Sequence, residues 1–311
     1  MPLSRRSVLR SAAAVVAGAL LRTPLLGACS RPTPDPDRDR LLRWAAALRA
    51  SGLTAPGAPL GRAAVGVGEL AAGSPYVPST LDAYLRNGRH GARLEPLTLS
   101  LSHFDCVTLV ESCLAVARVA DDGGAPSWSE FGREIERMRY RGGERRGYAS
   151  RLHYFSEWIA DGERRGLVRD KGADLGGAPD ARPLRFMTEH RTSYPALADD
   201  GVFREIAAIE RRLDGHPRLV IPTKRIPAVV DRIETGDVLA FATETPGLDV
   251  THAALAYRDT AGTLRVLHAP LSGGVVEVTR ATLPEYVAAI RRATGILVAR
   301  PLRQRTWNRS L

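Results

Sequence analysis

The chain changes its periodicity once, near Asp237, and that change restricts its fold more than any other feature. Upstream, apolar residues recur three and four apart. Residues 37–49 place Leu41, Leu42, Trp44, Ala45 and Leu48 on one face, and further helical patterns run over 62–71, 106–120, 127–139, 149–162 and 201–213. Residues 164–195, rich in Gly, Pro and charge, read as loops with short helices. Downstream, short apolar runs bounded by turn residues read as strands over 237–241, 250–257, 263–269, 275–279 and 295–300, with one short helix over 283–291. Helices first and an antiparallel sheet afterwards predict an α+β domain with segregated halves.

The first 28 residues read as an export signal rather than as fold. Arg5 and Arg6 precede a short, Ala-rich apolar stretch over 11–21, as in twin-arginine signals, and the stretch is too brief to span a membrane. Leu26-Gly27-Ala28-Cys29 resembles a lipoprotein box, which implies cleavage before Cys29 and lipid attachment there; the alternative is a soluble secreted protein in which Cys29 is incidental. Prolines 32, 34 and 36 make residues 29–37 an extended tether. The remainder, 38–311, reads as a single catalytic domain with a helical insertion over about 121–215. The expected location is the periplasm, anchored to a membrane.

Removing those 28 residues takes away four arginines, so the formal charge falls from +10 to +6. The basic residues are dispersed and not interleaved with aromatics, which argues against nucleic-acid binding. Arginines between Arg133 and Arg169 could receive peptide carboxylates, although a solvated helix face is the simpler reading. No cofactor is implied, and nothing in the chain indicates an oligomeric state.

Cys106 sits where a strand-like run, 97–101, gives way to the helical run that begins at the cysteine itself. A helix start lowers a thiol's pKa through unpaired amides and the helix dipole, so Cys106 is a candidate nucleophile. Cys113, nearly two turns on and about 10 Å away, reads as core. Asp105 would oppose a thiolate unless its side chain caps the helix on the amide of Val107 or Thr108.

The base must come from seven histidines. His90, His190 and His216 read as surface, and His103 belongs to a turn. His252 interrupts an apolar strand, and His268 lies in the next one. If Gly262 takes the left-handed position of a three-residue loop, 259 pairs with 263, 252 with 270 and 254 with 268, and the two histidines become diagonal neighbours on one face. A two-residue loop would put them on opposite faces. A zinc site of Cys106, His252 and His268 is a competing chemistry, but the chain has no CxxC or HxxxH spacing to support it.

The segments 104–111, 249–252 and 267–269, supported by 74–81, 148–155, 221–222 and 236–238, resemble the motifs of the DUF1460 family, an amidase branch of the NlpC/P60 papain-like superfamily. The resemblance spans residues 74–300. Ser79 stands where the family pattern has glycine, and Phe104 replaces an aliphatic residue. The resemblance implies a papain-like α+β fold, with the nucleophile helix packed on an antiparallel sheet. It also implies hydrolysis of the N-acetylmuramoyl-L-alanine amide in peptidoglycan or its muropeptides, with Cys106 as nucleophile, His252 as base and His268 as orienting group. The wider superfamily more often cuts the D-glutamyl-diamino acid bond, and a lipoprotein that binds muropeptides without cutting them is the third reading. Tyr76, held between prolines, and His153, in the insertion, are candidate substrate contacts, as is Asp105 beside the nucleophile.

Overall fold

Asp35 caps the first helix: its carboxylate accepts from the amide of Asp37 at 3.1 Å, and Pro36 occupies the first helical turn. Pro36 is thus the first residue of helix α1 (Pro36–Ala50) rather than part of the tether. The chain is described by a computed structural model over residues 35–87, 95–121, 123–270 and 274–303. The export signal, Cys29, His90 and the tether up to Pro34 lie outside the described residues.

Five helices follow the sequence pattern with shifts at their ends: α1, α2 (Leu60–Leu70), α3 (Cys106–Asp121), α4 (Trp128–Arg139) and α5 (Phe155–Arg164). Leu41, Trp44, Ala45 and Leu48 of α1 are buried, but Leu42 is 47% exposed, because one residue is about 100° of helical rotation and carries it off the stripe. α4 starts at a capping box between Ser127 and Glu130. α5 begins six residues later than expected, since 148–150 forms a single 3-10 turn. The strand-like run 97–101 pairs with no strand among the described residues. Its carbonyls are taken by side chains instead, that of Thr98 by Arg139 at 2.7 Å and that of Ser100 by Ser112 at 3.5 Å.

The insertion is not wholly helical. It contributes β1 (Val168–Asp170) and β2 (Ala178–Asp180) besides α6 (Phe186–Glu189) and α7 (Asp200–Leu213). The sheet continues with β3 (Arg218–Pro222), β4 (Val238–Thr243), β5 (Val250–Arg258), β6 (Leu264–His268) and β7 (Glu277–Val278), then, after helix α8 (Leu283–Ala289), β8 (Ala293–Pro301). These strands pair antiparallel throughout in the order β2-β3-β8-β4-β5-β6-β7, with β1 added to β8.

Both faces of the sheet are covered, so its central strands read as continuous apolar runs. Val238, Ala240, Ala253, Leu255 and Leu297 face α1 to α5. Leu239, Phe241, Ala254, Val266 and Ile296 face the other way, toward α8 and residues 226–233. α2 approaches β6 so closely that a Cβ at Gly68 would lie 2.6 Å from the Leu267 side chain, which would have to move aside. A third apolar cluster, with Tyr148, Tyr154, Leu197 and Ile206, lies within the insertion.

Candidate active site

The first turn of α3 is locked before any catalytic contact is made. The Thr108 amide and hydroxyl donate to the Asp105 carboxylate at 2.8 and 2.9 Å, and the Asp105 amide donates to the Thr108 hydroxyl at 2.8 Å. This is a capping box built with threonine, and it is the use of Asp105 that its position suggested. Phe104, fully buried, is stitched to 75–77: its amide donates to the Pro75 carbonyl, and its carbonyl accepts from Val77. The amide of Tyr76 in turn donates to the Gly274 carbonyl at 2.7 Å. Tyr76 is thereby fixed beside Cys106, close enough for the thiolate charge to raise its pKa, after burial and ahead of Asp105. The turn that follows needs a left-handed residue, and Ser79 takes φ 55° where the resembling family has glycine.

His252 is placed by β5. Asp249, buried at the strand's start, accepts from the amides of Ser156 and Val250, each at 2.8 Å, and so ties the first turn of α5 to β5. Pairing with β4 then shifts register: Ala242 faces Val250 but Phe241 faces His252, leaving Thr251 as a bulge. Bulges re-aim the neighbouring side chain. The His252 ring stacks on Phe241, with centroids 5.6 Å apart.

The β5–β6 hairpin takes the three-residue form. Asp259 and Thr263 close it by a 3.0 Å bond, Gly262 has φ 84°, and Leu255 faces Leu267. His252 and His268 therefore share a face, and Nε2 of His252 lies 2.8 Å from Nδ1 of His268.

The thiol lies against β5 at the amide of Ala253, the residue that follows His252. The amides of Ala253, Val107 and Cys106 itself act to lower its pKa, but burial, followed by the charge of Asp105, pushes it up to about 12. The expectation that the helix start leaves a low-pKa thiol is thus corrected: withdrawal from water outweighs three amides and a dipole end. Burial and then His268 press His252 down to about 3, and burial alone presses His268 down to about 4. Burial thus favours the neutral form of the thiol and of both imidazoles.

Sequence reasoning missed Tyr286. Its hydroxyl lies 3.1 Å from Nδ1 of His268, its ring meets His268 edge-on at 5.1 Å, and burial followed by the charge of Cys106 raises its pKa to about 12. The signal available was the Thr282–Glu285 capping box, which fixes Tyr286 in the first turn of α8.

Other expected residues lie elsewhere. His153 packs within the insertion, its Nε2 2.8 Å from the Tyr148 carbonyl and its ring 4.5 Å from that of Tyr148. His103 is bonded to Ser100, and Cys113 is core. The arginines of this stretch divide: Arg133, Arg146 and Arg164 are solvated, as the simpler reading has it, whereas others are held by carboxylates. Arg139 pairs with Glu111 at 2.8 Å, Arg141 with Glu157 at 2.6 Å and Arg151 with Asp82 at 2.6 Å. Among the described residues no group of three or more His, Cys, Asp or Glu is arranged to hold a metal ion.

Three comparisons bear on this geometry. The sequence profile of the AmiA-like family, described as N-acetylmuramoyl-L-alanine amidase-like, matches residues 67–296. Among solved structures, an N-acetylmuramoyl-L-alanine amidase from Bacteroides uniformis ATCC 8492 is 30% identical with a TM-score of 0.71, covering 78% of this chain and 99% of its own. A Bacteroides fragilis protein described as a candidate xylanase is 32% identical with a TM-score of 0.68, over 75% of this chain and 99% of its own. A DUF1460 protein of Legionella pneumophila str. Philadelphia 1 shares the fold at 16% identity, with a TM-score of 0.61 over 85% and 94%. No curated protein matches the sequence. A profile that spans most of the chain, joined to a solved amidase of the same architecture, assigns the chain to the N-acetylmuramoyl-L-alanine amidase-like family.

Proposed function

We propose that the protein is a cysteine amidase that hydrolyses the amide between N-acetylmuramic acid and L-alanine in peptidoglycan or its muropeptides, on a papain-like fold of the NlpC/P60 type. The observation that carries this reading is the His252–His268 hydrogen bond beside the start of the Cys106 helix, in a chain of an amidase-like family.

In this mechanism His252 takes the Cys106 proton as the sulfur attacks the lactyl carbonyl of the muramoyl group. Burial and the charge of Asp105 favour the neutral thiol, so in this reading proton transfer accompanies the attack. The Cys106 amide at the helix start faces the developing oxyanion. His252 then returns the proton to the leaving amine of L-alanine, and a water activated by the same ring cleaves the thioester. Tyr76, beside the thiol, is the substrate contact. Glycosidase chemistry, which the name of the B. fragilis relative would suggest, needs two carboxyl groups across the scissile bond. Among the described residues, two imidazoles and two phenols stand around Cys106; the Asp105 carboxylate is already bonded as a cap, and that of Glu277 stands at the Nε2 side of His268.

The proposal includes export and anchoring through a lipid on Cys29, which would bring the site to its polymer at the periplasmic face of a membrane.

The test is the mass of the products from a defined muropeptide. The expected result is an intact stem peptide beginning with L-alanine and a sugar free of peptide. A sugar that still carries a short peptide would make the protein a D-glutamyl-diamino acid endopeptidase, and unchanged substrate would make it a binding lipoprotein. Either would overturn the proposal.

A further inference from the structure

The two ring nitrogens of His268 are treated differently by their surroundings. Nδ1 lies 2.8 Å from Nε2 of His252 and 3.1 Å from the Tyr286 hydroxyl. Nε2 is buried and, among the described residues, has no hydrogen-bond partner. The nearest counter-group is Oε1 of Glu277, 3.9 Å away. Glu277 faces His268 directly across the β6–β7 pairing, and its side chain is half exposed.

Only one arrangement of protons lets His252 serve as a base toward Cys106. With Nε2 engaged by His268, Nδ1 is the nitrogen left for the thiol, and it must be unprotonated to accept. His252 then carries its proton on Nε2 and donates it to Nδ1 of His268, so the His268 proton must sit on Nε2. In the reverse arrangement Nδ1–H of His268 donates to Nε2 of His252, and His252 turns an N–H toward the thiol and cannot accept. Both arrangements are neutral and both satisfy the 2.8 Å bond. What decides between them is whatever meets His268 on its other side.

We propose that Glu277 is a positioning residue that holds the proton of His268 on Nε2 and thereby keeps His252 in the tautomer able to accept from Cys106. The proposal rests on the reading of Cys106 and His252 as nucleophile and base. A carboxylate accepts from Nε2–H and repels a lone pair at that position. The separation is about 1 Å longer than a hydrogen bond, which a half-exposed glutamate closes by turning its own side chain. When His252 becomes an imidazolium during attack, its charge is shared along the path to His268 and the Glu277 carboxylate.

Three measurements on the full chain test this. Long-range proton–nitrogen spectra of the labelled imidazoles should find His268 protonated on Nε2, and a wild-type protein with His268 protonated on Nδ1 overturns the proposal without any mutation. Glu277→Leu should move His268 toward the Nδ1–H tautomer and lower kcat about 10- to 100-fold with KM within about twofold, a smaller effect than the loss of a buried triad carboxylate. Glu277→Asp should restore part of that kcat. An unchanged kcat in Glu277→Leu overturns the proposal. Cys106→Ala separates the two failures. If that variant is inactive while Glu277→Leu is fully active, only the role of Glu277 falls; if Cys106→Ala turns over normally, the catalytic reading itself falls.

Discussion

Two regions of the molecule bury titratable side chains, and they treat them in opposite ways. Around the insertion, the buried arginines Arg139 and Arg151 have met counter-charges. Arg139 pairs with Glu111 on α3, and Arg151 pairs with Asp82 while its Nε lies 3.5 Å from Glu95, which also accepts from the Tyr140 hydroxyl at 2.9 Å. At the opposite corner, half-buried Cys106 and His252 and buried His268 have, among the described residues, no full counter-charge in hydrogen-bond contact, and withdrawal from water favours their neutral forms. Both regions show strongly displaced pKa values, so displacement alone does not mark a site. A paired group is spent on holding helices together, whereas an unpaired neutral group is free to exchange a proton.

The comparison breaks first if the corner is not where chemistry happens. His252→Ala should lower kcat by at least about 10³-fold with little change in unfolding free energy, measured by turnover and by urea denaturation of the same preparation. Arg139→Met should do the reverse. It strands Glu111 without its partner at a cost of about 3–5 kcal/mol, read as a lower urea midpoint, while the protein that remains folded keeps its kcat. A large loss of kcat in folded Arg139→Met would blur the distinction.

His268→Ala should lose about 10- to 100-fold in kcat, because His252 would keep its strand and its stacking on Phe241 but not its orienting bond.

Acid should separate the regions further. In the native protein His252 and His268 refuse protons that the unfolded chain accepts below about pH 6.5, so their contribution to stability falls as pH drops from there toward 4. Glu95 and Glu111, held above the ordinary carboxylate range chiefly by burial, take up protons before the unfolded chain does and offset part of that loss at the acid end. Denaturation midpoints at pH 7, 6 and 5 should fall less steeply in His252→Gln than in the wild type. An equal slope would mean that the native ring titrates normally. The smallest effect is expected for Tyr286→Phe, about two- to fivefold in kcat, since its hydroxyl shares Nδ1 of His268 with a shorter bond from His252.

The parts of the site legible in the sequence were those set by local chemistry. Gly262 announced the loop that aligns His252 with His268, and the Asp105-Cys106-Val107-Thr108 order announced a cap and a helix start. What could not be read depended on partners distant in the chain. Residues 97–101 have strand composition, but their carbonyls are claimed by Arg139 and Ser112. The thiol's raised pKa comes from burial, which no local pattern reports. β3 is short and ends in proline, and the sequence pattern showed it only through residues 221–222 of the family resemblance, not as a strand. Tyr286 lies one helix beyond the last motif and reaches His268 only through the packing of α8 on the sheet.

The central claim is that the sulfur of Cys106 attacks the muramoyl carbonyl. Its most direct test is turnover of a defined muropeptide by the wild type and by Cys106→Ala, followed by mass spectrometry of the released peptide, with binding of the same muropeptide measured in parallel. The account predicts release of the L-alanyl peptide by the wild type, none by Cys106→Ala, and similar binding by both. Release of that peptide by Cys106→Ala at the wild-type rate would contradict it.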